Sequence, residues 1–210
     1  MKTIPRVMLF VVFAALCCST AFAQDQAAPA KAKPAAKPAA QAQQMPMPAP
    51  SPEMTKLIKT LSGNWSVAEK QEPSPMMPNG GAGKGTAIIK AGPGNLSLVE
   101  TYQSVGAMGN FKGMGTWWWD PKTQAFRGLW CDNMTPNGCD TSGSTKWEGD
   151  KLVGTMQGDM NGQTMMMRFI YSDFKPGSFV MTMEMGPDAG KMQKAMTVTY
   201  TKAAAAAGKM

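Results

Sequence analysis

Methionine is the residue whose abundance and spacing could do chemistry in this chain. Met181, Met183 and Met185 alternate along one stretch with Phe179 in phase, and Met165 and Met167 alternate along another with Phe169 and Tyr171. In an extended strand that spacing puts each set on one face. Thioether sulfur is soft and polarizable, so the pattern admits three chemistries. It can fill an irregular core against aromatic rings. It can form a pliable lining for a small apolar or amphipathic molecule. It can also bind copper as Cu(I), with Met181, Met183 and Met185 as ligands.

The other reactive groups are few. The 210 residues contain no histidine, which removes Ser-His-Asp and Cys-His catalysis, histidine-ligated haem and the common zinc sites. Asp132 with Asp140, and Glu148 with Asp150, are carboxylate pairs at turns, with nothing to mark an acid and a base. The expectation is a non-catalytic protein without a resident cofactor. Arg127 and Arg168 are the only arginines after residue 6. A guanidinium inside a fold could clamp an anion bidentately. However, Arg168 is out of phase with Met165, Met167 and Phe169, and Arg127 with Phe126 and Trp130. The alternation therefore turns both toward solvent if the apolar sets face inward.

The ends of the chain set its compartment. Lys2 and Arg6, the apolar run 7–16 and Ala21-Phe22-Ala23 have the order of a secretory signal peptide over residues 1–23. Its removal would leave Cys131 and Cys139 from four cysteines, and an oxidising compartment, periplasmic or extracellular, favours pairing them. Residues 24–50, rich in Ala, Pro, Lys and Gln, read as a disordered, semi-rigid tether. Residues 203–210 read as a disordered tail. Loss of Lys2 and Arg6 lowers the net charge from +7 to +5, and the body, 51–202, carries 15 basic against 13 acidic residues. A nucleic-acid groove is not indicated; the basic tether could contact the envelope. No segment reads as a membrane-spanning helix.

Residues 51–202 form one domain long enough for a substantial core. Ser51 and Pro52 open a helix, and Met54, Leu57, Ile58 and Leu61 make its apolar stripe. Gly63 suits a left-handed stop. The period then changes to two, predicting strands at 65–71, 85–90, 96–103, 111–119, 125–131, 143–148, 152–158, 164–172, 178–185 and 192–201. Asp120-Pro121, Gly149-Asp150, Asn161-Gly162, Pro176-Gly177 and Pro187-Asp188 mark turns, and Pro136-Asn137-Gly138 lets the chain reverse between the cysteines. Sequential hairpins give an antiparallel meander. About ten strands leave exposed edges unless the sheet closes, so the fold expected is an all-β up-and-down barrel with a short N-terminal helix. A two-sheet sandwich is the alternative. Trp117 and Trp119 share one face, and Trp118 takes the other. The helix stripe is expected to cover one of these surfaces.

Gly63-Asn64-Trp65 resembles the G-x-W entry of lipocalin-like (calycin) barrels. Gly115-Thr116-Trp117-Trp118-Trp119-Asp120-Pro121, followed by Trp130-Cys131-Asp132-Asn133-Met134, resembles a bacterial family catalogued as domain of unknown function 1579. Trp147-Glu148-Gly149-Asp150 and 197–201 are similar to it too, so the resemblance spans most of the domain. It implies a lipocalin-like barrel and an exported setting, and no reaction.

These observations converge on an exported, non-catalytic barrel that binds a small apolar or amphipathic molecule in the cell envelope. The expected lining is Trp65, Trp117, Trp119, Trp130, Met165, Met167, Phe169, Tyr171, Phe179, Met181, Met183 and Met185. The Cu(I) binder and a tethered interaction module are the alternatives.

Overall fold

The computed structural model describes residues 46–75, 77–107, 109–135, 138–160 and 163–204. The leader, most of the tether, Pro136-Asn137, the Asn161-Gly162 turn and residues 205–210 of the tail lie outside the described residues. The helix α1 spans Pro52–Leu61. Ten strands follow: β1 Gly63–Gln71, β2 Gly81–Ala91, β3 Ser97–Gly106, β4 Gly109–Asp120, β5 Ala125–Asp132, β6 Cys139–Glu148, β7 Lys151–Met160, β8 Gln163–Lys175, β9 Ser178–Gly186 and β10 Gln193–Lys202. Each pairs antiparallel with its neighbour in sequence, and β1 pairs with β10, so the barrel is closed. Closure satisfies every strand edge, which is the physical reason a long meander rolls up. The sandwich alternative is excluded by the β1–β10 ladder.

Turn chemistry fixes the register. Asp120 accepts from the backbone N–H of Lys122 at 2.9 Å and from the Thr123 hydroxyl at 3.0 Å, closing the β4–β5 turn. Asp132 accepts from the N–H groups of Met134 and Thr135 at 2.7 and 2.6 Å and from the Trp130 indole at 3.0 Å. Asn133 ties this turn to β4, accepting from the Lys112 N–H and donating to the Asn110 carbonyl. Strand β6 starts at Cys139, four residues before the sequence pattern suggests, because Cys131 and Cys139 face each other in the ladder and are joined by a disulfide. A bulge between Ser172 and Lys175 in β8 shifts the parity, and Phe174 joins the core.

Two local expectations are corrected. Gly63 is not a left-handed helix stop. The chain leaves α1 through Ser62 in extended conformation, φ −63° and ψ 134°. Gly63 is needed for space: a Cβ there would stand 3.0 Å from the Trp65 ring. Nor does the helix cover an outer tryptophan face. Trp117 and Trp119 point inward and pack on the core, while Trp118 points outward and is 42% exposed. The stripe of Met54, Leu57 and Leu61 is buried in the barrel's own core. One end of a closed barrel is itself an apolar surface, and it is there that α1 buries its stripe.

The disulfide closes a loop of eight residues, for which chain-entropy reasoning gives roughly 2–3 kcal/mol. The Cys131→Ser/Cys139→Ser variant is therefore expected to keep its β-rich circular dichroism and lose about that much stability in urea. An unmoved midpoint would show that the ladder alone holds β5 to β6.

Candidate functional site

The two ends of the barrel are filled differently. At the α1 end, Trp65, Ile89, Leu98, Phe126, Leu152, Phe179, Val198 and Tyr200 are buried together with Leu57 and Leu61. Trp65 donates from Nε1 to the Leu61 carbonyl at 3.0 Å and meets Phe179 edge-on at 4.9 Å between ring centroids. Phe179 stacks on Tyr200 at 4.2 Å. The space left between the plug and the mid-barrel is about 20 Å³, lined by Leu57, Leu61, Glu100, Trp117, Thr145 and Tyr171 among others. That volume holds one water and is far below the several hundred Å³ of a ligand pocket. This end is a packed core.

The opposite end is formed by the C-terminal halves of odd-numbered β1 to β9 and the N-terminal halves of even-numbered β2 to β10. Among its inward side chains Phe111, Trp130, Met165, Met167, Phe169, Met183, Met185 and Met196 are partly buried, while Gln71, Tyr102, Ser104 and Met156 are buried. Met165, Met167 and Met185 lie outside the packed core cluster. The methionines crowd the wall from β7 to β10. Facing them, Phe111 and Trp130 stack at 6.4 Å. A Cβ on Gly113 would come within 2.3 Å of the Trp130 ring, so the glycine makes the room in which that ring lies.

The expected lining residues thus divide. Trp65, Phe179 and Met181 belong to the buried core. Trp117, Trp119 and Tyr171 flank it, and Trp117 and Tyr171 also border the small cavity. Trp130, Met165, Met167, Phe169, Met183 and Met185 are at the open end. Met181, Met183 and Met185 occupy three successive rows, pairing with Val198, Met196 and Gln193 on β10, so they do not gather at one point. Among the described residues no group of His, Cys, Asp or Glu could hold a metal. The anion clamp is corrected. Arg168 pairs on the outer wall with Glu184, its Nε donating at 2.7 Å. Arg127 lies opposite the outward Trp118. Alternation against the inward aromatic rings turns both guanidinium groups away from the interior.

Polar groups inside the barrel were not singled out from the sequence. Glu100 is 3% exposed and accepts from the Tyr200 hydroxyl at 3.5 Å. Burial among apolar groups pushes its carboxyl up to about 7, with the Tyr200 contact opposing. Tyr102 donates to Glu69 at 2.5 Å. Burial raises the Tyr102, Tyr171 and Tyr200 phenols well above their ordinary value, with nearby carboxylates adding to the effect. A signal was present: Glu100 falls in phase with Leu98 and Tyr102 along β3.

The profile of a family described as "Protein of unknown function (DUF1579)" matches residues 50–202. No curated protein matches the chain. Among solved structures, Rv2717c from M. tuberculosis is similar at 12% identity and a TM-score of 0.50, covering 74% of this chain and 99% of that one. The S-type phycobiliprotein lyase CPES from Guillardia theta is 9% identical with a TM-score of 0.48, over 72% of this chain and 93% of its own. A de novo designed fluorescence-activating β-barrel is 9% identical with a TM-score of 0.38, over 70% and 96%. These likenesses concern the fold.

Glu100 makes stability depend on pH. Its carboxyl ionises near 4.5 ordinarily and near 7 in the barrel. Between those values the folded state keeps a proton that the unfolded chain has released. Stability therefore falls as pH rises through that window, by roughly 3 kcal/mol from this group. Glu100→Gln is expected to remove that part of the slope, gaining on the native protein at pH 8 relative to pH 5 in urea unfolding. Parallel pH profiles for the two proteins would contradict it.

Proposed function

The chain belongs to the DUF1579 family, and on that premise we propose that it is an exported, non-catalytic barrel that takes a small apolar or amphipathic molecule through its open end. The observation that carries the reading is the asymmetry of filling. One end is sealed to a single-water cavity of about 20 Å³. At the other, Met165, Met167 and Met185 stay partly accessible and outside the packed core cluster. Apolar groups left wet inside a wall gain by covering, at roughly 25 cal/mol per Å² of area removed from water. Methionine suits a lining that must adapt to its guest. The sealed end limits the guest to the open half. The reading includes export to the periplasm or beyond, resting on the leader sequence and on the disulfide, which an oxidising compartment maintains. It includes no catalysis, resting on the absence of histidine and on the Cys131–Cys139 pairing, which leaves no thiol nucleophile in the barrel.

Titration with the neutral dye N-phenyl-1-naphthylamine tests it. One equivalent is expected to bind with enhanced fluorescence. Met167→Gln with Met185→Gln is expected to weaken binding by about tenfold or more, two buried polar amides costing at least 1 kcal/mol each. Leu57→Ala at the sealed end is expected to lower stability without that loss. An unchanged affinity in the methionine variant would contradict the reading.

Register favours a second reading. Met156 pairs with Met167, and Met167 with Met185, so three inward thioethers stand abreast on β7, β8 and β9. Neighbouring strands are about 4.8 Å apart, close enough for thioethers to share one soft Cu(I) ion. Cu(I) titration under reductant should then show one site that Met167→Leu with Met185→Leu abolishes; retention of the site would rule this out.

A further inference from the structure

The interior of the barrel is acidic, and its cations are outside. The inward side chains include Glu69 on β1, Glu100 on β3, Asp132 on β5 and Asp140 on β6. Glu69 lies across Gly83, where an added Cβ would stand within contact of its Oε2, and accepts from Tyr102. Glu100 sits deeper, with Tyr200. The Asp140 carboxylate is 4.0 Å from a Cβ placed on Gly158, and that same Cβ would meet the Met167 methyl. Asp132 is committed to its turn, accepting from the Met134 and Thr135 N–H groups.

No lysine or arginine balances these carboxylates from within, among the described residues. Arg127, Lys146 and Arg168 fall on the outward parity of their strands. Lys70 and Lys194 meet Glu72 outside the wall. Lys202, at the sealed end, has the inward parity, and it opens with Lys59 and Lys175 onto a separate outer groove of about 330 Å³ behind Trp65.

A guest entering from the open end therefore meets apolar rings and thioethers first, then carboxylates and phenols, and no cation. A carboxylate or phosphate head would stand uncompensated against Glu69 and Glu100, which is costly away from water. An ammonium head would be compensated, since an ammonium only donates and the interior offers carboxylate and phenol oxygens that accept. Past Asp132 and Asp140 at the rim, Glu69 is reached before Glu100, because it is partly accessible while Glu100 is buried.

We propose that the barrel selects a cationic amphiphile, an amine on an apolar chain, and that Glu69 with Tyr102 receives its ammonium head in front of Glu100. This rests on the ligand-binding reading above and names the class of ligand. The outer lysine groove gives anions a different address, so the test must report on the interior alone.

Displacement of N-phenyl-1-naphthylamine from the full chain does so, using decylamine, decanol and decanoate at about pH 8, where carboxylates and the amine are both charged. Decylamine is expected to displace the dye at about tenfold lower concentration than decanol, a hydrogen bond to a charged group typically giving at least that. Decanoate is expected to be weakest. Glu69→Gln should bring decylamine to the level of decanol while leaving decanol unchanged. Glu100→Gln, a second variant, should narrow the gap in the same direction, with circular dichroism confirming the fold of each. Equal displacement by all three probes, or an amine preference that survives both variants, overturns this proposal and leaves the ligand-binding reading intact. Failure of the dye itself to bind overturns the reading and the proposal together.

Discussion

The Trp65 indole spans the junction of helix and barrel. It donates to the Leu61 carbonyl at 3.0 Å, lies over Gly63 and meets Phe179 edge-on. That contact fixes α1 across one end of the sheet, where Met54, Leu57 and Leu61 complete the core. A ten-strand barrel is wide enough to leave space inside unless large side chains and a plug fill it. Here the plug closes the α1 end, and near the other end Met165, Met167 and Met185 lie outside the packed cluster. The location of the core, the single-water cavity and the partly wet methionine wall all follow from which end is plugged.

Much of the fold was legible because closed meanders write themselves in alternation and turn residues. The inward parity of Met165, Met167, Phe169 and Tyr171, and of Phe179 to Met185, could be read directly, and so could the outward turn of Arg127 and Arg168. The Asp120 and Asp132 turns were visible as motifs, and the structure gives their reason in side-chain to backbone hydrogen bonds. Less legible was anything set by the third dimension. Gly63 looked like a helix stop because nothing local shows that a ring two residues on will need its space. The destination of the helix stripe depends on closure. The bulge that turns Phe174 inward breaks the alternation that sequence reading relies on.

The candidate site was legible in its apolar part and missed in its polar part. Attention to methionine favoured a uniform lining, while the structure grades it from buried Met181 to accessible Met167 and Met185. Glu69 and Glu100 looked like ordinary strand carboxylates. Only the closed wall shows that Glu69 meets Tyr102 and Glu100 meets Tyr200, with no lysine or arginine beside them among the described residues. Electrostatics then narrows what apolar burial leaves open: area sets how strongly a guest is held, and the unbalanced carboxylates set which head it can carry.

The account turns on one half of the barrel being sealed and the other reachable. Methyl-labelled methionine spectra in the presence of a soluble, uncharged paramagnetic agent measure that directly. The account predicts strong broadening of the Met165, Met167 and Met185 methyl signals and protection of Met54 and Met181. Equal protection of all five would mean a barrel packed from end to end, and would contradict it.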